Sequence, residues 1–278
     1  MVLAVLMIVT SNSPAGTVEM GVQPQTSLDL PSEITDISQQ DLTWIGETIF
    51  KKECAGKKEN LLTWNRGEDF PSLGIGHFIW YPRGMEGPFE ESFPAFLTFV
   101  KKRGIPLPPF VASMKTMDCP WTSRQQFYQA RNTRAMGSLY TFLLRTRHEQ
   151  ALFIVTRLQT ALPKIMDAAP HHKKGHILNQ FFRIADSSKK LYALIDYVNF
   201  KGEGIKPTER YNNQGWGLLQ VLEEMRGTEA GPEAIHEFVR AAEIVLARRV
   251  DNAPAHRNEH RWLSGWKNRV NDYRQLSS

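Results

Sequence analysis

Glu53 closes a short amphipathic run that includes Thr48-Ile49-Phe50, and a turn-rich stretch then leads into Ser72-Leu73-Gly74-Ile75-Gly76-His77. A carboxylic acid at a helix end, followed by a glycine-kinked hairpin with a hydroxyl and an imidazole, carries the groups that glycoside cleavage needs. One acid must donate a proton to the leaving oxygen, and a second polar group must position water or steady an oxocarbenium-like transition state. A packed helix end can withdraw the Glu53 carboxyl from water, and Gly74 and Gly76 let the hairpin backbone approach a ligand closely. Ser72 is a candidate to hold the attacking water, and His77 is better suited to bracing the hairpin than to moving protons. Between the two, Trp64-Asn65-Arg66-Gly67-Glu68-Asp69 adds Glu68 and Asn65 as further groups able to order water. An isolated glutamate beside Lys51 and Lys52 is more often a solvated charge. The downstream hairpin signature tips the balance toward catalysis.

The stretch from about Trp44 to Trp80 resembles the catalytic motif of phage-type lysozymes and endolysins, within the lysozyme-like superfamily. That family places a glutamate on a helix, an aspartate in a short loop, and then a strand reading Thr-Ile-Gly-x-Gly-His. Glu53 matches the glutamate, Ser72 falls on the threonine, and Gly74-Ile75-Gly76-His77 matches the glycine-histidine signature. The aspartate is the departure: counting back from His77 without gaps lands on Arg66, which leaves its duty to Asn65, Glu68 or Asp69. The resemblance implies an α+β fold, mostly α, with a small β-hairpin region beside a large helical lobe. It implies a peptidoglycan-cleaving glycosidase, a muramidase, with Glu53 as general acid, Ser72 and Glu68 ordering water, and no cofactor or metal. The missing aspartate leaves open a lytic transglycosylase, which can work with one acid/base and internal attack. A catalytically silent, lysozyme-like cell-wall-binding module also remains open.

A second constellation, Tyr211-Asn212-Asn213-Gln214-Gly215-Trp216-Gly217-Leu218-Leu219-Gln220-Val221, puts rings beside amides. Rings stack on pyranose faces and amides bond hydroxyls and N-acetyl groups, so Tyr211, Gln214 and Gln220, with Asn65 and His77, are the candidate substrate-binding residues. Gly217 to Val221 also resembles the Gly-Leu-Met-Gln element of lytic transglycosylases and goose-type lysozymes, although it lies far downstream of Glu53. A helix start capped by Asn213, with Leu218, Leu219 and Leu222 in the core, explains the same residues. Gly265-Trp266-Lys267-Asn268-Arg269 is similar to the Gly-x-x-x-Arg helix that closes phage lysozymes, and is expected to pack near the first helix and support Glu53.

The remainder must position these groups. The first helix is expected to start near Ser38 to Asp41, to bury Leu42, Ile45, Ile49 and Phe50, and to stop by Gly56. Phe70 to Tyr81 reads as strand, Glu90 to Lys102 as an amphipathic helix, and Ile105 to Phe110 as an extended connector. From Thr122 the pattern is helical, punctuated at Pro163, Pro170, Gly202, Gly204, Pro207, Gly227, Gly231 and Pro254. Two lobes are expected, a motif-bearing α+β lobe over 37–110 and a helical lobe over 111–278.

With 278 residues, 41% hydrophobic, the chain can bury a sizeable core. Its net charge of +5 favours a polyanionic partner. Charge alone does not separate wall polymer, nucleic acid and anionic membrane; the basic residues are scattered, without zinc-finger spacing or an RNP-type motif, so nucleic acid is the weaker partner. The resemblance implies peptidoglycan glycan strands as the partner, met by a monomer. Residues 1–16 hold an apolar run and a small-residue zone that suit an export signal, although basic residues before the run are missing; residues 17–36 read as a linker. A periplasmic or extracellular location follows, and no later run is long enough to span a bilayer. Cys54 and Cys119 could pair or stay as reduced, buried thiols. His172/His176 and His256/His260 have helical spacing but not the order of a metalloprotease, so surface histidines are the better reading. Lys201-Gly202-Glu203-Gly204 lacks the context of a phosphate loop.

Overall fold

Ser38 begins the first helix as an N-cap, its hydroxyl accepting from the Asp41 N–H at 3.0 Å. Helix α1 (Gln39–Glu53) buries Leu42, Ile45, Ile49 and Phe50 and carries Lys51 and Lys52 in its last turn. It ends because Ala55 and Gly56 take positive φ, and the Gly56 N–H returns to the Phe50 carbonyl at 3.3 Å. The computed structural model describes residues 37–277 other than residue 88. The expected export segment and linker therefore lie outside the described residues.

Strands β1 (Leu62–Thr63), β2 (Ser72–Leu73) and β3 (Phe78–Ile79) form an antiparallel sheet in that order. The expected single strand from Phe70 to Tyr81 is thus two short strands around a turn over Gly74–His77, with Gly74 at φ 72° and His77 at φ 47°. Both glycines are needed for packing: Gly74 against helix α6 (Arg147–Ala168), and Gly76 against α6 and Phe78. A Cβ on Gly74 would stand 2.3 Å from Gln150 Oε1, and one on Gly76 2.8 Å from Ile154 Cδ1. Gln150, fully buried, accepts from the Ile75 N–H at 2.8 Å and donates to the Leu143 carbonyl at 2.7 Å and to Thr146 Oγ1 at 3.1 Å. Phe78 stacks on Phe96 at 5.1 Å and meets Phe153 edge-on, so the sheet is also fixed by rings.

The rest is helical, giving an α+β molecule that is mostly α. Helices α2 (Phe93–Lys102), α3 (Pro109–Ala112), α4 (Arg124–Gln129) and α5 (Arg134–Arg145) precede α6, and α7 (Lys174–Ile184) and α8 (Ser188–Lys201) follow it. A hairpin of β4 (Arg210–Tyr211) and β5 (Gln214–Gly215) then leads to α9 (Leu218–Glu224), α10 (Pro232–Asn252) and α11 (His260–Asn271). Helix α1 packs on α6, α6 on α8, and α10 on α11 and the terminal 3-10 turn Asp272–Ser277. One continuous apolar core runs through both expected lobes, from Leu42 to Tyr273.

Pro163 is not a break, because α6 runs through it. Its missing N–H costs about 3 kcal/mol, which is offset by burying Ala161, Leu162, Ile165 and Met166 on either side. Cys54 and Cys119 are both free and buried. Burial, with the Glu53 charge in the first case, pushes the Cys54 thiol up to about 12; burial pushes the Cys119 thiol up to about 12 as well. Neither is a thiolate near neutral pH.

Gln150→Met keeps the volume but leaves the Ile75 N–H buried without an acceptor. Stability to urea should fall by roughly 2–3 kcal/mol, with an unchanged dependence on urea concentration.

Candidate active site

The C-terminal end of α1 delivers Glu53 to a junction of three distant segments. Arg269 Nη2, from the last turn of α11, donates to Glu53 Oε1, and His77 Nδ1, from the β2–β3 turn, lies 3.4 Å from Glu53 Oε2. The Glu53 side chain is 14% exposed, so the carboxyl is held in a contact rather than solvated. Arg269 is itself fixed by Asp196 of α8, to which Nε and Nη2 donate at 2.9 and 2.8 Å. Tyr273 and Tyr192 complete the Asp196 shell, their hydroxyls donating at 2.5 and 3.2 Å.

Burial works against the Asp196 charge, but the Arg269 guanidinium and the two phenols outweigh it and hold the carboxyl below the ordinary aspartate range. Burial lowers the His77 imidazole, Glu53 opposes that and Arg269 reinforces it, so the ring is neutral near pH 7. A neutral ring has one N–H, and the tautomer carrying it on Nδ1 is the one that can donate to Glu53.

Beside this junction lies a cavity of about 230 Å³. The hairpin forms one wall with Gly76, His77 and Ile79, the end of α8 forms the floor with Val198 to Gly202, and Glu209, Tyr211 and Trp216 stand opposite. The Tyr211 and Trp216 rings are 4.6 Å apart. Phe89, Glu90, Ser92 and Arg157 also line the cavity, as do Arg249 and Arg257. Glu53 is not among the lining residues: His77 stands between it and the cavity space.

The predicted site residues divide accordingly. Glu53 and His77 come together, and Tyr211 lines the cavity, its hydroxyl donating to Glu259 at 2.9 Å. Asn65 and Glu68 do not join them. They lie in the β1–β2 loop, at the opposite end of the sheet from the Gly74–His77 turn, and Asn65 Nδ2 donates to Glu68 Oε2 at 3.1 Å. Burial raises the Glu68 carboxyl, and that side chain's charge is felt at Tyr81 rather than at the Glu53 junction. Ser72 is buried at the loop end of β2, opposite Thr63 and Ile79.

Gln214 is exposed on the β4–β5 hairpin and does not line the cavity. Gln220 serves the fold: its Oε1 accepts from the Gly217 N–H at 3.0 Å and its Nε2 donates to the Gly204 carbonyl at 3.1 Å. Gly217, not Asn213, caps the following helix, because Asn212 and Asn213 take φ of 47° and 63° to turn the β4–β5 hairpin. The two histidine pairs fail as chelates for a backbone reason, each bridging a 3-10 turn and the start of an α-helix. Among the described residues no cluster of His, Cys, Asp or Glu could hold a metal ion, and no helix is long and apolar enough to cross a membrane.

Several site residues escape a motif reading: Asp196, Lys201, Glu209, Arg249 and Glu259. A usable signal existed for the first two. Asp196 interrupts the apolar run from Leu191 to Val198, and Lys201 ends it, where charges need partners if the run is buried. Compared with known proteins, the chain matches no family model, no curated protein and no solved structure.

Arg269→Met would strand the buried Asp196 carboxylate and release Glu53. Unfolding free energy should drop by about 3–5 kcal/mol, read from urea melts. Because the folded Asp196 carboxyl is depressed, its contribution is complete above about pH 5 and lost as pH falls below about 4. In the variant, the stability lost as pH falls below about 4 should be smaller than in the parent.

Proposed function

We propose that the chain is a peptidoglycan-cleaving glycosidase of lysozyme-like type, a muramidase, with Glu53 as its general acid. The carrying observation is the meeting at one carboxyl of three segments that resemble phage lysozymes: the glutamate of α1, the Gly74–His77 turn, and Arg269 of the Gly265-x-x-x-Arg269 helix. Glycan binding is supported by the adjoining cavity, which Tyr211 and Trp216 help to line. His77 lines the cavity and contacts Glu53, which places the candidate acid directly behind the hairpin wall. The basic balance of the chain suits an anionic wall polymer, and export to the periplasm or beyond would bring the two together.

Lytic transglycosylation is the second reading, favoured by the company Glu53 keeps. Among the described residues Glu68 lies at the far end of the sheet, and Asp196 is fully engaged by Arg269 and two tyrosines. A single acid/base assisting attack by the sugar's own hydroxyl needs no second carboxylate.

Glu53→Gln keeps the contact to Arg269 while removing the acid, and should lower release of muropeptides from purified murein by about a hundred- to ten-thousand-fold. Mass spectrometry of the parent's products separates the readings: reducing ends mean hydrolysis and anhydro-sugars mean transglycosylation. If parent and variant both release nothing yet sediment with the wall, the molecule is a binding module and not an enzyme.

A further inference from the structure

Lys201 ends α8 on the cavity floor and is 8% exposed. Its Nζ lies 4.0 Å from the Phe200 ring centroid and 3.3 Å from that of Trp266. Two guanidinium groups crowd the same space: Arg249 stands over Trp266 at 4.9 Å, and Arg269 over Phe200 at 4.3 Å. The carboxylate whose charge reaches Lys201, Glu259, is already bonded by Arg249 at 2.7 and 2.9 Å and by Tyr211. The ring faces attract a cation, while burial and the two guanidiniums repel one. Burial is the larger influence, and the amine is held well below the ordinary lysine range.

The other charged or titratable groups around the cavity leave this balance in place. Arg157 pairs with Glu90 at 3.7 Å, Arg257 with Glu259 at 3.3 Å, and Glu209 caps the Gly204 N–H at 2.8 Å. His77, on the facing wall, is neutral near pH 7. A desolvated lysine beside other cations, opening on a cavity, is the arrangement that makes an amine nucleophilic.

We propose that Lys201, between the Phe200 and Trp266 rings on the cavity floor, is a reactive amine that condenses with small aldehydes entering the cavity. The Nζ lone pair adds to the carbonyl carbon, and the carbonyl oxygen leaves as water with the two amine hydrogens. An imine between Nζ and that carbon remains. No oxidant or metal is required, and the reaction is independent of Glu53.

The test uses the intact chain with glycolaldehyde and cyanoborohydride at about pH 7, where an exposed lysine is an ammonium ion. Peptide mapping should show Lys201 alkylated at least about tenfold faster than the exposed Lys57, Lys58, Lys101 and Lys102 of the same molecules. Above its lowered pKa the Lys201 rate should stay flat with pH, while the exposed lysines gain about tenfold per pH unit. Equal or slower labelling of Lys201 would overturn the proposal, as would a rate that climbs in parallel with theirs. Because the comparison is internal, no variant has to fold. The labelling needs no murein and is read in the parent chain alone, which keeps its outcome separate from that of the glycosidase reading.

Discussion

The molecule is organised around the burial of the Asp196 charge. A carboxylate whose side chain is 2% exposed would cost several kcal/mol if left alone. It is tolerated because Arg269 binds it through two nitrogens and two phenols donate to it. Those partners come from helix α8, helix α11 and the terminal 3-10 turn, so satisfying one charge fixes the angle at which the end of the chain meets its middle. The same Nη2 that serves Asp196 also donates to Glu53, which α1 supplies. The position of the candidate acid is therefore tied to how Asp196 is neutralised.

The cavity follows a similar economy of charge. Arg249 faces Trp216 at 4.1 Å on one side and binds Glu259 on the other, and Glu259 is fully buried at its side chain because Arg249, Arg257 and Tyr211 all serve it. Glycine lets two loops meet behind the cavity floor. The Gly217 backbone passes so close to Gly204 that a Cβ would meet its nitrogen at 2.0 Å, and the Leu218 and Leu219 N–H groups bond the Gly202 and Glu203 carbonyls at 3.1 Å. The Lys201-Gly202-Glu203-Gly204 run is thus a chain-to-chain contact. Its glycines admit backbone where a phosphate loop would admit a phosphate.

Local pattern was enough for elements whose cause is local. A helix start near Ser38 to Asp41, the buried face of α1, the stop at Gly56 and the kinked hairpin at Gly74 all follow from side-chain chemistry within a few residues. The pairing of the Gly265-x-x-x-Arg269 segment with Glu53 was legible only through resemblance, since nothing local ties residues 216 positions apart. What failed was direction. Glycines at 74 and 76 look the same in sequence whether or not Gln150 and Ile154 press against them, and only the partner helix shows that they do. Asn65 and Glu68 seemed near Glu53 because the chain between them is short, yet a loop and a turn at opposite ends of a sheet do not meet. Gln220 reads as a free amide until the Gly204 carbonyl is known to lie within its reach. Pro163 misled for an energetic reason, core burial outweighing one lost hydrogen bond.

The separation of Glu68 from Glu53 bears on mechanism more than any single distance does. A hydrolase with two carboxyl groups depends on their spacing to choose between a water and a covalent intermediate. Here the neighbours of Glu53 are a neutral imidazole and a guanidinium, neither of which can serve as a carboxylate nucleophile. On the glycosidase reading, the developing positive charge at the sugar must therefore be relieved by the substrate's own groups or by water held on the hairpin. His77 touches both Glu53 and the cavity, but its Nδ1 faces Glu53 and its Nε2 is buried without a partner among the described residues, so the ring braces the hairpin rather than holding water. Its φ of 47°, unusual for a residue other than glycine, is maintained by the Gly74 carbonyl, which accepts its N–H at 3.3 Å. The imidazole is thereby aimed by backbone geometry as well as by its contact with the acid, so the turn that α6 forces on the hairpin also orients the one ring that links acid and cavity.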